Sequence, residues 1–240
     1  MSRTTFRQEM QEIKDDILLL GSMVEEAIMK SAEALRDNNP EHSRSIITND
    51  KYINRKRFEI ETAIMVLIAT QQPIARDLRT LAASLDVCIE LERMGDYAKG
   101  IANINIRSEG INMPNILRDV YTMAEKAVDM LHRAITTFSN EDIQAAREVI
   151  RDDEIIDECY TKLYGDALNC VVESPDNIER TNYIIWVAHN LERFGDRATN
   201  ICERVIYMVT GERPGTLEPF LWQMSSYYPD MRTDVKNSGD

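Results

Sequence analysis

"LERMGDYA" at residues 91–98 and "LERFGDRA" at residues 191–198 agree in six of eight letters and stand 100 positions apart. Each octet holds a Glu and an Asp four residues apart, Glu92 with Asp96 and Glu192 with Asp196. That spacing puts both acids on one face of a helix. Around the first octet, Leu78, Leu81, Leu85, Cys88, Leu91, Met94, Ala98 and Ile101 recur at threes and fours, the period of a helix that buries one face. Working outward, Met23, Glu25 and Ala27 return as Met123, Glu125 and Ala127. Ile47, Asp50 and Ile53 return as Ile150, Asp153 and Ile156, now offset by 103. A unit repeated in this way predicts two copies of one helical module.

Breakers divide the pattern into six helices. "DNNP" (Asp37 to Pro40), "TQQP" (Thr70 to Pro73), "SNED" (Ser139 to Asp142) and "ESPDN" (Glu173 to Asn177) close the turns within the modules. Pro40 suits the first turn of a helix, and "SNED" supplies an N-cap. "SEGINMPN" (Ser108 to Asn115), with Gly110 and Pro114, is the linker between modules, and "GERPG" (Gly211 to Gly215) stops the sixth helix. The apolar stripe Phe6, Met10, Ile13, Ile17, Leu20, Val24, Ala27 and Leu35 belongs to the first helix. No strand-like alternation of useful length occurs. The expected fold is all-α: two tandem, similar three-helix bundles of long antiparallel helices, over residues 1–109 and 110–213. A C-terminal tail over 214–240 is expected to be partly disordered. Helices of roughly 30 residues would be rods of about 45 Å.

Composition narrows the function. The formal charge of −13 disfavours nucleic acid and anionic lipid as partners, and no Lys/Arg run offsets it. The cysteines, Cys88, Cys159, Cys170 and Cys202, form no CxxC pair, which points to reduced thiols in a cytoplasm. The N-terminal "MSRTTFRQEMQEIKDD" has no apolar core for a signal peptide, and "IMVLIAT" is too short to span a bilayer. The chain is therefore expected to be cytoplasmic, without membrane insertion. No GxxxxGK[ST], GxGxxG or GxSxG occurs, no nucleophile is recognisable, and the expectation is a protein that is not an enzyme.

The acid pairs carry the functional reading. Glu92 has no basic residue three or four positions away, whereas Asp96 has Arg93 and Lys99; Glu192 has only His189, and Asp196 only Arg193. The second helix of each module carries a matching pair, Asp50 with Asn54 and Asp153 with Asp157. Neighbouring helix axes lie about 8–10 Å apart, so pairs facing each other would converge oxygen donors that repel unless something positive sits between them. Oxygen-only ligands favour hard cations: Mg²⁺, Mn²⁺, Ca²⁺ or an iron species, with Zn²⁺ as a further candidate. Gly95 and Gly195 cost helix stability, which suggests close approach by an ion or by backbone. The plain alternatives are a solvated acidic face, or salt bridges between helices through Arg93 and Arg193. His42, His132 and His189 are scattered, and the cysteines read as core-filling.

"QQPIARDLRTL" (Gln71 to Leu81), "ELERMGDYA" and "NLERFGDRATNICE" (Asn190 to Glu203) resemble the PhoU family, and the resemblance covers roughly Phe6 to Gly211. It implies two three-helix bundles side by side, assembled as a homodimer. It also implies a regulator that acts with the ATPase subunit of a phosphate ABC transporter and with a sensor histidine kinase, restraining phosphate uptake and the phosphate-starvation response. Family members bind metal ions through (E/D)xxxD motifs, which fall here on Asp50 with Asn54, Glu92 with Asp96, Asp153 with Asp157, and Glu192 with Asp196. Two positions depart from the pattern: Asn54 replaces a carboxylate, and Gly100 stands where the second module has Asn200. Two other functions stay open, a metal-free helical scaffold and a di-metal carboxylate enzyme. The latter needs Glu-x-x-His, to which His189-x-x-Glu192 is only a reversed approach.

Overall fold

The computed structural model describes residues 3–212, and the tail reading over 214–240 lies outside them. Among the described residues there are six α-helices and no strand: α1 (Arg3–Arg36), α2 (Pro40–Gln71), α3 (Ala75–Arg107), α4 (Pro114–Asn140), α5 (Ile143–Glu173) and α6 (Ile178–Thr210). Their ends fall at the sequence breakers. Asn39 caps α2, its side chain accepting from the His42 N–H at 3.0 Å, with Pro40 in the first turn. Asp142 caps α5 through the Ala145 N–H at 3.0 Å. Pro175–Asn177 adds one 3-10 turn before α6. Gly211 ends α6 at φ 81°, a left-handed conformation that glycine adopts without a Cβ penalty.

The six helices do not form two separate cores. α2 and α5 touch only helices of their own half, but α1, α3, α4 and α6 pack across the middle, α1 on α4 and α3 on α6. One apolar cluster runs from Ile13 to Met208 through both halves. Partners along α3 and α6 run in opposite order: Asp86 meets Arg204, Glu90 meets Asn200, and Gly100 meets Asn190. The two central helices are therefore antiparallel. Gly21 lets α1 close on α4, since a Cβ there would fall 2.1 Å from Ile135 Cδ1. Glu141, at the α4–α5 turn, clamps the halves by pairing Lys14 at 2.8 Å and Arg76 at 2.6 Å. Lys14 and then Arg76 hold its carboxyl below the usual range.

Most of the two apolar stripes is buried, while Phe6, Met10, Ala27 and Leu85 are half-buried against the same core. Leu78, expected in the core, is 43% exposed because it lies on the second turn of α3, near the end of the bundle.

Asn105 is 2% exposed near the end of α3, and its amide donates to Ala34 O at 2.9 Å, Asn39 O at 3.3 Å and Ser43 Oγ at 2.8 Å. One side chain thus ties α3 to the α1–α2 turn. Each such bond contributes about 1 kcal/mol net. Asn105→Ala is expected to cost about 2–3 kcal/mol, seen as a lower urea midpoint at unchanged slope. An unchanged midpoint would show that the α1–α2 turn holds without it.

Candidate metal centre

The helices that carry the (E/D)xxxD acids pack in pairs, α2 against α3 in the first half and α5 against α6 in the second. Gly95 and Gly195 make this approach possible. A Cβ on Gly95 would lie 3.2 Å from Ile53 side-chain atoms, and one on Gly195 would lie 3.2 Å from Asp153 Oδ1 and 3.3 Å from Ile156 Cγ2. What the glycines admit is a side chain of the neighbouring helix, rather than the ion or backbone their sequence position suggested.

The two groups differ in charge compensation. In the first, Asp50 is 6% exposed and its Oδ2 lies 2.7 Å from Lys99 Nζ and accepts from Asn54 Nδ2 at 3.0 Å. Arg93 lies 3.8 Å from Glu92 and 3.6 Å from Asp96. Lys99 therefore serves Asp50 across the helix pair, not Asp96 on its own helix. The hydrogen bond to Asp50 holds the Lys99 ammonium protonated above its usual range.

In the second group no such cation is present. Thr199 occupies the place of Lys99, and Asp157 that of Asn54. Arg193 turns away and lies over the Tyr97 ring, 5.4 Å from its centre, instead of pairing Asp196. Arg197 reaches Glu90 at 3.2 Å and Tyr97 Oη at 3.3 Å, and Arg133 takes Asp152 at 2.6 Å. Asp153, Asp157, Glu192 and Asp196 therefore form no ion pair with a Lys or Arg; His189 lies 3.2 Å from Glu192, and the charges of Arg197, Arg193 and His189 offset part of the repulsion at Asp196. Burial, then the charges of Asp157 and Asp196, push Asp153 up to about 6. The buried Thr199 hydroxyl works against this, though it makes no hydrogen bond of regular geometry. Burial first and Asp196 second raise Glu192, and burial first and Asp157 second raise Asp196. Glu192 Oε2 is buried and accepts no hydrogen bond of regular geometry, with His189 Nδ1 3.2 Å away.

This donor set suits a hard cation. All four groups are carboxylates, and Glu192 Oε2 accepts no hydrogen bond of regular geometry. Among the described residues no three His, Cys, Asp or Glu side chains are gathered into a ready coordination sphere. Ligand distances of about 2.0–2.6 Å would need side-chain rotation about χ1 and χ2, which the exposed Asp157 and Asp196 have room to make. The first group does not suit one: its most buried carboxylate already holds an ammonium.

Asn200, a departure point in the sequence, is not part of either group; its amide donates to Glu90 across α3–α6 at 3.2 Å. Lys99 as the partner of Asp50, and Tyr97 as the seat of Arg193, were missed in the sequence because both contacts cross between helices. Spacing along one helix carries no signal for them. Cys88 and Cys202 are buried, with thiols pushed up by burial to about 12, and all four cysteines are free thiols. No described helix is long and apolar enough to cross a membrane.

Comparison with known proteins agrees with the repeat. The PhoU domain profile matches twice, at residues 17–104 and 120–205. The phosphate-specific transport system accessory protein PhoU homolog of Clostridium acetobutylicum is 32% identical over 89% of this chain and 98% of that protein. Its namesake PhoU of Escherichia coli is 28% identical over 86% of each chain. The crystal structure of PhoU from Pseudomonas aeruginosa superposes with a TM-score of 0.80 at 30% identity, over 86% of this chain and all of that one. The regulatory protein PhoU from Streptococcus pneumoniae gives 0.79 at 29% identity, over 87% and 98%. With both modules matched by profile, sequence and superposition, the chain belongs to the PhoU family.

Proposed function

We propose that this protein is a metal-carrying regulatory accessory of phosphate uptake, with its metal held by Asp153, Asp157, Glu192 and Asp196. The observation that carries the metal is the group of four carboxylates around Gly195 that no Lys or Arg pairs, with Asp153 raised to about 6 and Glu192 Oε2 buried with only the His189 ring beside it. The transport role rests on the family, whose members are accessory proteins of phosphate-specific transport. In this reading it works in the cytoplasm as a homodimer. It meets the ATPase subunit of a phosphate ABC transporter and a sensor histidine kinase, and restrains uptake and the starvation response. A bound cation would supply positive charge that draws the four carboxylates together and offsets the acidity of this face. Partner recognition then depends on complementary charge. The role is coordination and docking rather than turnover, which separates it from a di-metal carboxylate enzyme.

Elemental analysis for Fe, Mn, Mg, Zn and Ca, before and after chelator, tests the metal. Glu192→Gln with Asp196→Asn is expected to lower affinity at least 100-fold while helical circular dichroism is kept. Retained metal would overturn the assignment of the site. Identical partner binding with and without chelator would favour a metal-free scaffold. Constitutive expression of phosphate-starvation genes in rich phosphate is the expected phenotype of a deletion.

A further inference from the structure

We infer that Lys99 is the resident cation of the first half, so that Asp50, Glu92 and Asp96 take no metal and the chain carries a single metal centre. This deepens the functional reading above and rests on it for the second half only. Two positions, 54 and 99, are altered from their second-half counterparts toward neutrality and positive charge. Asn54 stands for Asp157 and brings an N–H donor, 3.0 Å from Asp50, where a metal would need an oxygen. Lys99 stands for Thr199 and places its ammonium 2.7 Å from Asp50. Arg93 stays beside Glu92 and Asp96, while its counterpart Arg193 is drawn onto Tyr97. Position 97 explains that last difference, because Arg197 is its counterpart and offers no ring for Arg93 to cover.

An ammonium at hydrogen-bond distance does the electrostatic work of an ion without exchange with solvent. Because Lys99 is tethered, its local concentration at Asp50 does not fall when free metal is scarce. A metal ion would have to displace Lys99 from a carboxylate that is 6% exposed and leave the Asn54 N–H facing a cation. The cleft beside it, about 320 Å³, is lined by Glu26, Lys30, Asp50 and Lys99, and each of these two acids is already paired with a lysine, Glu26 with Lys30 and Asp50 with Lys99. The halves consequently respond differently to metal: the first is held by its own side chain at all times, and the second changes only when an ion arrives.

The experiment is Mn²⁺ uptake by the full chain, measured as ions per chain and by titration calorimetry. Asp50→Asn in the otherwise unaltered chain is expected to leave Mn²⁺ uptake unchanged. Asn54→Asp with Lys99→Thr, placed on the background Asp157→Asn with Glu192→Gln, is expected to raise Mn²⁺ affinity at least 10-fold over that background. Loss of about half the Mn²⁺ on Asp50→Asn, or a folded graft that gains nothing, would overturn the inference while leaving the second-half metal untouched. Should the graft fail to fold, the Asp50→Asn result decides alone: unchanged uptake supports the inference, and reduced uptake defeats it. A chain that takes up no Mn²⁺ until the first half is grafted would support Lys99 as resident cation and remove the second-half reading.

Discussion

Asp153→Asn is expected to stabilise the metal-free protein at pH 7 and to weaken its response to metal. In the folded chain Asp153 titrates near 6, against 3.8 for the free group. That gap corresponds to about 3 kcal/mol at full burial, which solvent screening at this half-buried site reduces to about 1–2 kcal/mol. The sign follows from proton binding: the native state holds this proton more tightly than the unfolded chain. The penalty of the charged form is therefore fully present above about pH 6 and disappears as the pH falls through 6 toward 4. Wild-type protein in chelator should gain stability from pH 7 to about 5, and the Asn variant should show less of that gain. Below about 4.5, the ordinary glutamate value, the contribution of the Glu141 clamp declines, and it is lost as the pH falls through the depressed folded value, so stability then declines in both. Metal reverses the comparison. An ion at 100 times its dissociation constant stabilises by about 2.7 kcal/mol, and a 100-fold weaker site leaves about 0.4 kcal/mol. Chemical denaturation with chelator and with Mn²⁺, at pH 5 and 7, reads all four cases. A variant less stable than wild type in chelator would show that Asp153 is held by favourable contacts.

Phe194→Ala should have the largest effect on stability, about 3–5 kcal/mol, because the ring is fully buried on α6 and its loss leaves a cavity. For a chain of this length that is a fall of roughly 6–20 °C in thermal midpoint. Its counterpart on α3, Met94, is also fully buried, and Met94→Ala should cost about 2–5 kcal/mol. Both substitutions are expected to move one common transition. The reason is the continuous core: α1, α3, α4 and α6 bury their faces against one another across the middle, so neither half loses its own core alone. Two calorimetric transitions, with each variant shifting only its own, would show that the halves unfold independently and that the shared core adds little.

These contrasts mark the limits of reading along one strand of text. The helices were legible because each ends at a chemical stop, such as Asn39 before Pro40 or Asp142 before Ile143, and because apolar residues recur at threes and fours. The acid pairs were legible for the same reason: a spacing of four is a statement about one helix. Their meaning was not, because it lies in residues brought from other helices. Lys99 was readable as a neighbour of Asp96 and is in fact the partner of Asp50. Arg193 was readable as the relief of Asp196 and lies instead on Tyr97, a hundred residues back.

By itself, then, the sequence determined the number of helices, their ends, the twofold repeat and the faces that carry acid. All of these follow from backbone hydrogen bonding and side-chain periodicity within a few residues. Only the tertiary structure decided that the four inner helices share one core and that the two acid groups are unequal. Charge compensation acts through space at about 3 Å, and two lines of nearly identical text differ in it once Lys99 and Thr199 stand at the same point of the fold.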